Sequence, residues 1–539
     1  MKGTVLEPFL ARAARQADRE AMRTLVPGGA SAEATYTWGE WEREARLVAG
    51  ALVAGAHQPG ERVAILAGNH PLWPIADLGA LLAGLVSVGL YPSSAPAQLR
   101  GLLADSGATT VLVDTTEQLA KIQAVRSSLP SLATVVAWDS KAPGVLSWPD
   151  WIESGRAALG PGSPIAREVR SRTAGVTPDT TALLIYTSGS TGQPKGAIIP
   201  HRYLLASAET IRNHLGLDER DSALSFLPYC HAAERIFGLY TRIVAGLSCG
   251  LVPDYGRLFQ AARHFGPTLF GGLPRIYEKA LETLPRGDGA SLADVLGSRL
   301  RVATNGGAAL PARLASAFAG NGVEVLGGYG LTEHLCAAMH RPGDVDPETV
   351  GPPMGRTRIR IAPDGEIEIE RCDLTFAGYF DHADMTDQAF TEDGRWLRTG
   401  DLGRLDQRGH LRVTGRAKEL IALSNGKKVA PAAIESALTR DGRVSQAMVF
   451  GEARHYLVAL LVPSEATRQL APTRQRETLD AVVAGVNADL SRPEQLKAWA
   501  LAAEFTLVAD ELTPTLKLRR PVIAAHYRDQ LDALYRSAS

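Results

Sequence analysis

The stretch Tyr186-Thr187-Ser188-Gly189-Ser190-Thr191-Gly192-Gln193-Pro194-Lys195-Gly196 decides how the rest of the chain is read. Apolar runs flank it, Ala182-Leu183-Leu184-Ile185-Tyr186 before and Ala197-Ile198-Ile199 after, each with the composition of a buried strand. Glycines let backbone N–H groups turn towards an anion, hydroxyls add donors, and the lysine contributes a full positive charge. A loop of this kind between two strands suits phosphate. It is not a Walker A loop, which needs Gly-Lys-Ser/Thr opening a helix. Here Pro194 precedes Lys195, and its ring disfavours helical geometry at Gln193. Gly/Ser/Thr clusters are commonly plain surface turns, so the neighbouring segments have to decide.

Working outward, residues before the loop alternate helical and strand patterns. Trp41–Val53 has apolar positions at helical spacing, Arg62–Leu66 is a strand, Gln98–Asp105 is helical, and Thr109–Asp114 is a strand again. This rhythm predicts a mostly parallel, doubly wound sheet. Residues 138–180, rich in Pro, Gly and Ser, have the composition of a connector. After the loop, His201–Leu215 is a helix with Leu204, Leu205, Ala208, Ile211 and Leu215 on one face. Strands are expected at Leu224–Leu227, Thr268–Phe270, Leu300–Thr304 and Val323–Leu326, with Pro311 opening a helix. Alternation in Arg358–Ile361 and Glu366–Ile369 marks a β-rich subdomain. Beyond Gly415 comes a compact α+β segment, with strands at Ala447–Phe450 and Tyr456–Val462 and a terminal helix over Val522–Tyr535. The predicted architecture is therefore α/β: a large N-terminal domain, 1–415, of doubly wound sheets plus a β-rich subdomain, and a small mobile α+β domain, 416–539.

At 539 residues, two or more domains are expected. Charges nearly cancel, 57 basic against 58 acidic, so nothing points to a nucleic-acid partner. The four cysteines, Cys230, Cys249, Cys336 and Cys372, are scattered without a CxxC, as buried thiols in a reducing compartment would be. Arg12, Arg15, Asp18 and Glu20 interrupt the first segment, which is not a secretory signal. Leu72–Leu90 is the most apolar region but contains Pro74, Asp77 and three glycines, so it reads as a buried helix and strand and not as a membrane span. The expectation is a cytoplasmic protein, monomer or homodimer, with peripheral membrane contact left open.

Further glycine loops are expected at strand ends, where open α/β sheets bind ligands. They are Gly306-Gly307-Ala308, Gly327-Gly328-Tyr329-Gly330-Leu331-Thr332-Glu333, Arg398-Thr399-Gly400-Asp401-Leu402-Gly403 and Gly415-Arg416-Ala417-Lys418-Glu419. Each offers backbone donors and one or two charges. Together with the phosphate loop and Pro514-Thr515-Leu516-Lys517, and in this order, they resemble the adenylate-forming superfamily of acyl-CoA synthetases, adenylation domains and luciferases.

The resemblance implies that a carboxylate attacks the α-phosphate of ATP to give an acyl-AMP and pyrophosphate, and that a thiol then displaces AMP. It also implies roles by position. Thr187, Ser188, Gly189, Ser190, Thr191, Gly192 and Lys195 would hold the β- and γ-phosphates, and Glu333, with Thr187, the Mg²⁺. Tyr329, between Gly328 and Gly330, would stack on adenine against the Gly306–Ala308 backbone, and Thr332 would touch the α-phosphate. Asp401 and Arg416 would take the ribose. Lys517 would be the catalytic lysine of adenylation, Lys418 the hinge, and His231 would lie near the acid's carboxylate. The superfamily has glycine before the catalytic lysine, where this chain has Leu516. A second departure is Gly365-Glu366-Ile367-Glu368-Ile369-Glu370-Arg371-Cys372, which lacks an expected glycine and carries about one extra residue before Gly378-Tyr379.

Leu227–Phe237, Phe270–Lys279 and Gly426–Pro431 resemble the long-chain and bubblegum-type fatty acyl-CoA synthetases, and no aspartate lies between Phe226 and Phe237 to hold a substrate ammonium. The acid implied is bulky and apolar, with ATP, Mg²⁺ and coenzyme A as co-reactants. The alternatives are a ligase loading a carrier protein's phosphopantetheine, a ligase for an aryl or polycyclic acid, and a non-catalytic nucleotide-binding protein.

Overall fold

A computed structural model of the chain describes residues 3–26, 34–188, 194–284, 291–308, 310–425, 427–440, 442–506, 508–512 and 518–536. Two eight-stranded sheets form the frame. In the first, Thr181–Ser188, Val86–Leu90, Arg62–Leu66, Thr110–Val113, Thr134–Ala137 and Leu146–Ser147 run parallel, and Pro194–Pro200 and then Gly378–Tyr379 add antiparallel strands at one edge. In the second, Val325–Leu331, Val302–Asn305, Leu269–Gly272, Ser222–Ser225, Ser248–Leu251 and Glu20–Thr24 are parallel, with His334–Met339 and Thr35–Thr37 antiparallel at the edges. Strands covered on both faces must be apolar throughout, which is why Arg62–Leu66 and Val86–Leu90 read as continuous runs. Helices Trp38–Ala54, Leu72–Leu82 and His201–Leu215 share one core with residues of both sheets, Ile65, Ile185 and Leu251 among them.

Residues 138–180 are not a connector. They form the short strand Leu146–Ser147 and two helices, Trp148–Ala158 and Pro164–Gly175. Ser147 accepts from the Asp150 amide and Ser163 from the Ile165 and Ala166 amides, each just ahead of a proline in the first helical turn. Helix Trp148–Ala158 lies so close to Trp38–Ala54 that a Cβ on Gly155 would collide with the Leu47 carbonyl.

A four-stranded antiparallel sheet follows, Ile359–Ile361, Glu366–Glu370, Trp396–Leu405 and Leu411–Arg416. The expected loops at 327–333 and 398–403 are therefore largely extended strand. Val325–Leu331 continues through its glycines into a hairpin with His334–Met339, and Arg398–Gly403 lies inside Trp396–Leu405. The departure at Arg371-Cys372 is absorbed in a turn, where the Cys372 amide donates to Thr375 Oγ1.

The last segment is a three-stranded sheet, Val444–Phe450, Leu457–Pro463 and Leu496–Leu501. Ala447 and Val449 face helices Pro431–Thr439 and Pro472–Ala488, while Met448 points the other way, towards Ile523 and Leu531. The terminal helix is two helices, Arg520–His526 and Arg528–Arg536. This segment meets the rest through Arg275–Glu504 at 3.6 Å and Arg440–Glu348 at 3.8 Å. Among the described residues no helix is long and apolar enough to cross a membrane.

Candidate active site

The phosphate-loop stretch caps an antiparallel hairpin in which Thr187 pairs with Lys195 and Ser188 with Pro194. Gly189, Ser190, Thr191, Gly192 and Gln193 lie outside the described residues. The hairpin is anchored from beneath. Tyr186 Oη donates to Asp105 Oδ2 at 2.6 Å, and the ring lies against Gly196, leaving no easy room for a side chain there. On the outer side Tyr379 pairs with Ala197. Lys195 Nζ sits 5.2 Å from the centroid of the Tyr379 ring, and Tyr379 Oη donates to Glu333 Oε1. Burial and the Glu333 carboxylate hold the Tyr379 phenol well above its ordinary pKa, so it is a donor.

Glu333 and Thr332 form the turn between Val325–Leu331 and His334–Met339. The fully buried Tyr203 fixes both sides of that turn: its hydroxyl donates to the Thr332 carbonyl at 3.0 Å and accepts from the Leu335 amide at 2.9 Å. His334, next in line, is also fully buried. Thr357 Oγ1 donates to the Cys336 carbonyl, so it accepts from His334 Nε2–H at 3.0 Å, and Thr375 Oγ1 donates to Nδ1 at 3.2 Å. This arrangement suits only the neutral ring, and burial pushes its pKa down to about 3. Gly330 is demanded by the hairpin, since a Cβ there would strike the Leu335 carbonyl.

At the other end of the same hairpin, Tyr329 Oη donates to Asp401 Oδ2 at 2.6 Å. Asp401 pairs across strands with Arg416, whose Nε lies 2.8 Å from Oδ1. The carboxylate is 6% exposed and the guanidinium side chain 51%, so a buried anion is presented by a cation that opens to solvent. Gly306-Gly307-Ala308 leaves the end of Val302–Asn305, with Asn305 Nδ2 donating to the Ala308 carbonyl at 2.8 Å. A Cβ on Gly306 would meet nothing within 4 Å, so that backbone borders open space.

Among the proteins that resemble the chain over nearly its whole length are two fatty-acid ligases. They are the long-chain-fatty-acid–CoA ligase FadD15 of Mycobacterium bovis, 30% identical over 93% of this chain and 92% of its own, and the long-chain-fatty-acid–CoA ligase ACSBG1 of Rattus norvegicus, 29% identical over 91% and 80%. The AMP-binding enzyme family model matches residues 9–371, and the AMP-binding enzyme C-terminal domain matches 418–539. The chain belongs to the AMP-binding enzymes. Its fold is shared with the anthranilate CoA ligase AuaEII in complex with anthranoyl-AMP, at a TM-score of 0.84 and 24% identity over 99% of this chain and 98% of that one. It is shared too with the carboxylic acid reductase A domain of Segniliparus rugosus in complex with AMP, at 0.78 and 22% over 99% and 94%.

In this AMP-binding enzyme the geometry brings Lys195, Tyr379, Glu333 and Thr332 together, and Tyr329, Asp401 and Arg416 together. His231 precedes a π-helix, Ala233–Tyr240, with its Nδ1 accepting from the Ala233 amide at 3.2 Å. That helix is pinned to both sheets by buried charge. Arg235 pairs with Asp77, both fully buried, and also donates to Ser87 at 2.7 Å, while Tyr240 donates to Asp77 at 2.7 Å. Glu234 pairs with Arg242 at 2.8 Å and accepts from Ser225 at 2.7 Å. Lys517 lies outside the described residues; Leu512 and Leu518, on either side of its segment, pair with each other. Lys418 sits in the 3₁₀ turn Ala417–Glu419 directly after Arg416. Sequence reasoning missed Tyr203, Asp77 and the part of Tyr379, of which only Gly378-Tyr379 carried a local signal.

Proposed function

We propose that the protein is an AMP-forming acid–thiol ligase that activates a long-chain fatty acid with ATP and passes the acyl group to coenzyme A. One observation carries the reading. A single hairpin holds Tyr329 against Asp401 at one end and Glu333 against the Tyr379–Lys195 pair at the other. Tyr329 and Glu333 are four residues apart, which even fully extended chain limits to about 13 Å, a span suited to a nucleotide lying along the hairpin from its base and ribose to its last phosphate.

In this reading Asp401 accepts the ribose hydroxyls with Arg416 beside it, and Tyr329 and the Gly306–Ala308 backbone enclose the adenine. Lys195, with Thr187 to Gly192, neutralises the β- and γ-phosphates, and Thr332 touches the α-phosphate. Attack of the fatty carboxylate on that phosphorus makes the acyl–phosphate bond and releases pyrophosphate. The thiolate of coenzyme A then attacks the acyl carbon, and AMP leaves. Such displacement depends on positioning and charge neutralisation. Glu333 fits Mg²⁺, a hard cation that takes one or two carboxylates plus phosphate oxygens and water, and the ion would supply neutralising charge on the phosphates. Lys517 supports the adenylation step from the domain 416–539, turning about Lys418 between the two half-reactions. His231 faces the acid. The fatty chain length is taken from the character of the relatives and from the apolar sequence around His231.

Pyrophosphate release measured over a panel of carboxylic acids, with and without coenzyme A, tests the reading. Long-chain acids should give the highest kcat/KM, and AMP should form only when thiol is present. Release of pyrophosphate at full rate without thiol, or turnover only with a phosphopantetheinylated carrier protein, would overturn it. Lys517→Ala should remove acid-dependent pyrophosphate exchange and leave thiol attack on supplied acyl-AMP largely intact.

A further inference from the structure

The Lys195 ammonium and the Glu333 carboxylate serve the same phosphates in the reading above, yet among the described residues no direct ion pair within 4.0 Å joins them. Opposite charges serving one anion would be spent if they paired with each other. Tyr379 stands between them. Its ring face takes the ammonium at 5.2 Å, and its hydroxyl donates to Glu333 Oε1. Glu333 Oε2 receives no hydrogen bond among the described residues.

Tyr379 is itself held firmly. Its backbone pairs with Ala197 on the hairpin carrying Lys195. Its amide donates to Thr386 Oγ1 at 2.8 Å, and its ring packs edge-on against Phe376 at 4.9 Å. Phe376 is fully buried and its amide donates to the Glu333 carbonyl at 2.9 Å, so the ring and the carboxylate are referred to the same backbone. The side chain is not placed by accident of a loose loop; strand pairing, a hydroxyl and an aromatic contact all fix it.

We infer that Tyr379 is a positioning residue for the Mg²⁺·ATP site: it keeps Lys195 and Glu333 apart and orients the Glu333 carboxylate so that Oε2 is left for the cation. The inference rests on the reading of Glu333 as the metal carboxylate. Groups that orient a metal ligand through a hydrogen bond commonly change metal affinity by about 10–100-fold when removed, and a cation over an aromatic face adds a smaller, separable contribution.

The two contributions can be separated. Tyr379→Phe keeps the ring under Lys195 and removes the donor to Glu333; Tyr379→Leu removes both. Binding of ATP is followed calorimetrically without acid, so no turnover occurs, across a titration of Mg²⁺. Y379F should raise the Mg²⁺ concentration needed for half-maximal ATP binding by about tenfold, while ATP binding in excess EDTA stays within twofold of wild type. Y379L should in addition weaken ATP binding in EDTA, through loss of the Lys195 contact. Glu333→Gln is the control for the parent reading, and circular dichroism melts confirm folding. If E333Q shifts the Mg²⁺ dependence and folded Y379F does not, the positioning role is wrong while the site assignment stands. If E333Q leaves the Mg²⁺ dependence unchanged, the metal assignment fails and takes this inference with it. If Y379F weakens binding equally with and without Mg²⁺, its effect is merely structural and the inference is overturned.

Discussion

Tyr203→Phe tests whether one buried hydroxyl sets the position of the Thr332–Glu333 turn. Tyr203 is fully buried on helix His201–Leu215, and its Oη makes two hydrogen bonds, to the Thr332 carbonyl at 3.0 Å and from the Leu335 amide at 2.9 Å. Phenylalanine fills the same space, so no cavity is opened and the loss is confined to those bonds. Each leaves a buried or half-buried partner unsatisfied, at about 1–3 kcal/mol apiece. The turn is partly accessible and can relax towards water, so the lower half of the range applies, about 2–4 kcal/mol together. Since about 1.4 kcal/mol is a factor of ten, half of this felt at Thr332 and Glu333, about 1–2 kcal/mol, lowers adenylation about five- to thirtyfold. Acid-dependent ATP–pyrophosphate exchange, measured well below the unfolding temperature, reports the functional part; the urea midpoint reports the structural part. The expected result is a fall in exchange of about fivefold or more with a lowered midpoint. A lowered midpoint with exchange within twofold of wild type would show that the turn holds its place without Tyr203, and the reasoning would fail.

Three further outcomes are expected. Asp77→Ala strands the fully buried Arg235 without its carboxylate and should cost about 3–5 kcal/mol of stability in denaturant unfolding; adding Arg235→Leu should restore part of it, and additive losses would contradict the pairing. Asp401→Asn keeps a partner for Tyr329 but removes the charge facing Arg416, so KM for ATP should rise about tenfold with kcat changed less; an unchanged KM for ATP excludes Asp401 from the nucleotide site. His334 and His201, fully buried and held to pKa values of about 3 and about 4, stay neutral when folded, whereas the unfolded chain takes up protons below its ordinary histidine value. Stability is therefore complete above about pH 6.5 and is lost as pH falls from there towards 3–4, by roughly 2 kcal/mol per histidine at pH 5; a urea midpoint flat between neutral pH and pH 5 in H334Q/H201Q but falling in wild type is the check.

The parts of the site legible in sequence are those made by backbone. Phosphate and ribose contacts need glycine, hydroxyl and a fixed charge within a few residues, so Tyr186–Gly196, Gly327–Glu333 and Arg398–Gly403 can be recognised as short strings. Their conformation was less legible than their chemistry. Glycine suggests a loop, yet in Val325–Leu331 it serves a hairpin whose partner comes too near for a side chain, as Gly330 against the Leu335 carbonyl requires. Residues 138–180 misled for the opposite reason: abundant Pro, Gly and Ser masked two helix starts that Ser147 and Ser163, each ahead of a proline, announce. What no local pattern could reveal is the set of side chains that aim the motifs at one another. Tyr203 meets Thr332 from 129 residues away, Tyr379 meets Glu333 across 46, and Arg235 meets Asp77 across 158. A lone tyrosine or aspartate on an apolar helix carries no periodic signal, and its partner is chosen by how the two sheets stack. The chemistry of this site is thus written in its loops and strand ends, but its precision is held by buried hydroxyls and ion pairs that only the folded chain brings together.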